Sequence, residues 1–175
     1  AIKEPNDARF TLQAGGSGVY SSSYSKNNKF YAAAIGTSDG QTGVEIKVWD
    51  LKTTEEIFNK SFNGFIIPQV DISKDGKYLA ADLSQGLENN KIKVWDIETG
   101  AIKWEKISGD YITGQWGVSK VAFDPDSSLL AYGVRPFNQG SNKNYVEIVD
   151  INDGSVLYSI PMLSESNFSQ IKFSP

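Results

Sequence analysis

The phrase IKVWDLKTTEEIFNK, which starts at Ile46, returns as IKVWDIETGAIKWEK from Ile92. A weaker third copy, YVEIVDINDGSVLYS, starts at Tyr145. Aligned on Asp50, Asp96 and Asp150, the copies stand 46 and 54 residues apart. Ile46, Ile92 and Val146 then coincide, as do Val48, Val94 and Ile148, and Val149 stands where Trp49 and Trp95 do. A unit this short cannot bury its own apolar face, so copies must stack on one another. That requirement constrains the fold more than any other feature of the chain.

A second phrase precedes each copy. VDISKDGKYLAADL from Val70 matches VAFDPDSSLLAYGV from Val121, and SSYSKNNKFYAAAI from Ser22 matches both more loosely. Ala32, Ala80 and Ala131 fall together. Each unit therefore holds four short segments of alternating polarity, in the middle unit QVDIS, KYLAADL, KIKVWDI and AIKWEKI. Alternation at a period of two points to strands. Ile92 and Val94 share one face and Lys93 and Trp95 the other. The joints KNNK and KDGK, and the later joints IETG and NDG, carry Asn and Gly, which accept positive φ in tight hairpins. No segment shows a helical period of useful length. The expected class is all-β, with four-stranded antiparallel units repeated as the blades of a β-propeller.

Composition narrows the chemistry. The 175 residues include no cysteine and no histidine. Disulfides, thiolate nucleophiles, imidazole bases and thiolate or imidazole metal ligands are thus absent, and no Ser-His-Asp or Cys-His set can assemble. With 39% hydrophobic and 22% charged residues the chain belongs to the globular class. A net charge of −4 argues against a nucleic-acid partner. No apolar run is long enough for a membrane helix, no signal peptide is visible, and the compartment stays open. DPDSS from Asp124 lacks the Gly and terminal Glu of a hand-type calcium loop and reads as a turn. GGSG from Gly15 has no Lys-Ser/Thr after it and reads as a connection rather than a phosphate loop. No metal, no cofactor and no catalytic residue is assigned.

The twice-repeated KVWD, its worn copy at Asp150, and the SKDGKYLAA phrase resemble WD-repeat β-propellers over nearly the whole chain. The resemblance implies a scaffold that binds proteins. It also implies a Gly-His pair ahead of the blade and a hydrogen-bonded network to the Trp. Here Gly43 and Asn89 stand six residues before Trp49 and Trp95, so that network cannot form in its usual shape, and apolar packing between blades must supply stability. DGKYLA-like phrases also resemble the gate propellers of prolyl-oligopeptidase-type peptidases.

With strands labelled a to d from the axis outward, the units span about 19–62, 69–107 and 118–160. Residues 8–13 read as a lone d strand and 170–175 as a lone a strand. All belong to one propeller segment of about three full blades plus single strands at each end. Closed propellers use about four to eight blades, so the remaining blades are expected from flanking sequence or another chain. A lone d and a lone a do not complete a blade between two copies, which disfavours simple pairing.

The two faces of such a segment differ. The a–b and c–d turns are tight, whereas the b–c connections are long and the d–a connections are long and aromatic. Loops on a rigid scaffold carry binding residues, and aromatics and Arg anchor protein interfaces. Phe65, Tyr111, Trp116, Arg135, Phe137 and Phe168 are therefore the candidate partner-binding residues. Phe65, Trp116 and Phe168 also suit plugs between blades. Trp49 and Trp95 read as blade packing, and Asp50, Asp96 and Asp150 as turn formers. Trp104, between Lys103 and Glu105, is expected half-buried or at an exposed edge. The function read from this pattern is a protein or peptide interaction module within a multi-subunit assembly, without catalysis of its own. The alternative is the propeller domain of a larger hydrolase, acting as a peptidase gate or on glycans.

Overall fold

The computed structural model describes residues 12, 15–37, 43–63, 68–83, 90–109, 120–134, 144–162 and 170–174. Among these described residues, twelve strands form three separate four-stranded sheets. The first holds β1 (Gly18–Tyr24), β2 (Phe30–Gly36), β3 (Gly43–Asp50) and β4 (Glu56–Asn63). The second holds β5 (Gln69–Ile72), β6 (Tyr78–Leu83), β7 (Asn90–Asp96) and β8 (Ile102–Gly109). The third holds β9 (Val121–Phe123), β10 (Leu129–Val134), β11 (Tyr145–Asp150) and β12 (Val156–Pro161). Within each sheet the strands follow chain order and every pairing is antiparallel. No helix occurs among the described residues. Each sheet is one blade.

The repeated phrases share one register. Ala32 pairs with Val48, Ala80 with Val94 and Ala131 with Ile148. Small b-strand residues opposite β-branched c-strand residues leave room for a neighbouring sheet. One core lies between the first two blades. Ala32, Ala34, Val44, Ile46, Val48 and Phe58 of the first meet Ile72, Leu79, Trp95 and Ile97 of the second. The next core repeats it one blade later, with Ala80, Ile92, Val94 and Trp104 against Phe123, Leu130, Val149 and Ile151. The alternation in IKVWD therefore points Ile92 and Val94 at the third blade and Trp95 at the first. Burying one such side chain contributes about 1.5–3 kcal/mol.

Trp104 departs from expectation. It is buried in the second of these cores, and its Nε1 donates to the carbonyl of Ile151 at 2.8 Å. The flanking Lys103 and Glu105 misled because a blade's outer strand still alternates, and its inward residues are covered by the next blade.

The ends differ as well. Gln170–Ser174 form no strand. An a strand is held by pairing with its own b strand, and none follows it within these residues. Of the expected d strand at 8–13, only Leu12 lies among the described residues; it packs on Ala33, Ile35 and Trp49.

Candidate partner-binding face

The turns on one end of the blades are built from side chains that satisfy the backbone. In the a–b turns, Ser25 Oγ accepts from Phe30 N at 2.9 Å and Ser73 Oγ from Tyr78 N at 2.9 Å. Each serine also donates at 2.6 Å, Ser25 to Asn27 Oδ1 and Ser73 to Asp75 Oδ1. In the third blade Asp124 does the work, its Oδ1 accepting from Ser128 N and Leu129 N, both at 2.8 Å. Asn28, Gly76 and Ser127 supply the positive φ that closes these turns.

The c–d turns use the repeated aspartates. Asp50 Oδ1 accepts from Lys52 N at 2.7 Å, Asp96 Oδ1 from Thr99 N at 2.9 Å, and Asp150 Oδ1 from Asn152 N at 2.7 Å. Thr54, Gly100 and Gly154 take positive φ and donate their N–H groups to the carbonyls of Asp50, Asp96 and Asp150. The N–H of Thr99 holds the Asp96 carboxyl below the usual carboxylate range, and its side chain and Lys77 add to the effect. Trp49 and Trp95, the other repeated residues, are buried.

At the opposite end the strands hand over to the long connections. Their bases are fixed: Thr37 N donates to Gly43 O at 3.0 Å, and Met162 N to Asn144 O at 2.7 Å. Lys120 Nζ donates to Gln69 Oε1 at 2.9 Å, tying the bases of the second and third blades. Phe65, Tyr111, Trp116, Arg135, Phe137 and Phe168 all lie outside the described residues.

Polar groups missed in the sequence join the blades near the axis. Asp71, on β5, accepts from Ser23 Oγ of the first blade through Oδ1 and from Phe123 N of the third at 2.8 Å through Oδ2. Burial pushes its carboxyl above the usual range, against the hydrogen bonds from Ser23, Phe123 and Ile72 and the charge of Lys26. Ser21 Oγ donates to Pro68 O at 2.9 Å and accepts from Val70 N at 3.1 Å. A seryl hydroxyl beside a carboxylate resembles a nucleophile and its base, but both Asp71 oxygens are held by donors, so this is a clasp. Tyr132, fully buried, donates to Glu147 Oε2. Burial first, and then Glu147, drive its phenol far above its ordinary value. On the outer strands Lys47 contacts Glu45 at 3.0 Å and Glu56 at 3.2 Å, and Lys93 contacts Glu105 at 3.0 Å. Among the described residues no group of three or more acidic side chains is placed to hold a metal ion.

No family model matches the chain, and no curated protein does. Solved structures do. The β-propeller domain of Cps50 (Swd1) from Myceliophteria thermophila aligns with a TM-score of 0.58 at 14% identity, covering 87% of this chain and 44% of that one. TolB from Acinetobacter baumannii aligns at 0.53 and 24% identity, covering 79% and 31%. Hydrazine synthase from Kuenenia stuttgartiensis aligns at 0.54 and 20% identity, covering 82% and 37%. The chain thus spans less than half the length of these three proteins. At such identities the likeness shows the fold, a β-propeller, and nothing finer.

Proposed function

We propose that this chain is a scaffold of WD-repeat type that presents its b–c and d–a loop face to a protein or peptide partner within a larger assembly. The observation that carries this reading is the contrast between the two ends of the blades. One end is closed by short turns whose polar groups bond their own backbone or, at Asn27 and Ser127, the turn of a neighbouring blade. The other carries the longer connections on pinned bases, where side chains are free to be chosen for binding. The complete lack of histidine and cysteine leaves that face without the usual nucleophile–base pairs.

The test is a crosslinking and pull-down comparison of the wild type with a Tyr111→Ala/Phe137→Ala variant. Loss of captured partner is expected. Unchanged partners at unchanged affinity would remove the proposed face. One similar structure is that of an enzyme by name, hydrazine synthase, which keeps a second reading in view: the propeller domain of a larger enzyme. A hydrolase domain with a GxSxG elbow in the parent polypeptide would favour that reading.

A further inference from the structure

We draw no further inference here: the strongest candidate, the exposed Tyr20 that a bulge in β1 sets beside Gly36 at the loop-face end of the first blade, carries nothing because nothing in the structure shows what covers it.

Discussion

Substituting Gly154 by alanine should cost far more than the same change at Gly100, though both glycines close a c–d turn. Their backbones are matched, with φ of 72° and 67°. Alanine in the left-handed region costs roughly 1–2 kcal/mol at either position. The surroundings differ. At Gly100 the new methyl finds only the far end of Lys60 at 3.8 Å. At Gly154 it lands 2.9 Å from Trp104 Cδ2, inside the buried joint between blades. Forcing that ring aside adds about 1–3 kcal/mol of overpacking. It also threatens the bond from Trp104 Nε1 to Ile151 O, which contributes about 1 kcal/mol. Gly100→Ala should therefore lose about 1–2 kcal/mol and Gly154→Ala about 2–5. Urea unfolding followed by tryptophan fluorescence and circular dichroism reads both. A Trp104→Phe background, which copies the Phe58 joint, should shrink the Gly154→Ala increment toward that of Gly100→Ala. Equal losses at the two glycines, or an increment that ignores Trp104→Phe, would refute the account of how blades are joined.

Ser73→Ala should destabilise by about 1–3 kcal/mol in the same assay, because it strips the partner from the buried Tyr78 N–H. Thr54→Gly should stabilise by about 0.5–1 kcal/mol, since a threonine there holds φ at 63° on an exposed turn. Melting temperature against pH should separate two aspartates of opposite sign. Asp96, whose folded pKa is depressed, contributes stability above the usual carboxylate range that is lost as pH falls through its folded value; Asp96→Asn should flatten that acid limb. Asp71, whose folded pKa is raised, contributes stability that is present below the usual range and lost as pH rises through its folded value, so Asp71→Asn should remove a slope of the other sign.

The strands and their faces were legible because IKVWDI alternates cleanly and its copies coincide residue for residue. The tight turns were legible because Asn, Asp and Gly recur at fixed offsets. Trp104 was not, since its neighbours Lys103 and Glu105 report an outer strand and say nothing of the blade that covers it. Asp71 was not, because alternation tells which way a side chain points but not that a neighbouring blade offers it a bare N–H. Ser25, Ser73 and Asp124 hid for a different reason. They do one job with two chemistries, a hydroxyl in two blades and a carboxylate in the third, so matching by letter passes over them. The candidate binding residues were read from loop length and residue type alone, and periodicity carries no information about loops.

The placement of polar groups explains how one end of the segment can be rigid while the other is left open to the recognition role proposed for it. On the closed end each turn meets its backbone needs with its own Ser, Asp or Asn. Changing those residues therefore costs stability directly. The bases of the long connections are fixed by backbone pairs such as Thr37 N to Gly43 O and Met162 N to Asn144 O, and a backbone pair asks little of side-chain identity. Sequence on the loop side can then change with small effect on the blades beneath, as a surface selected for binding requires.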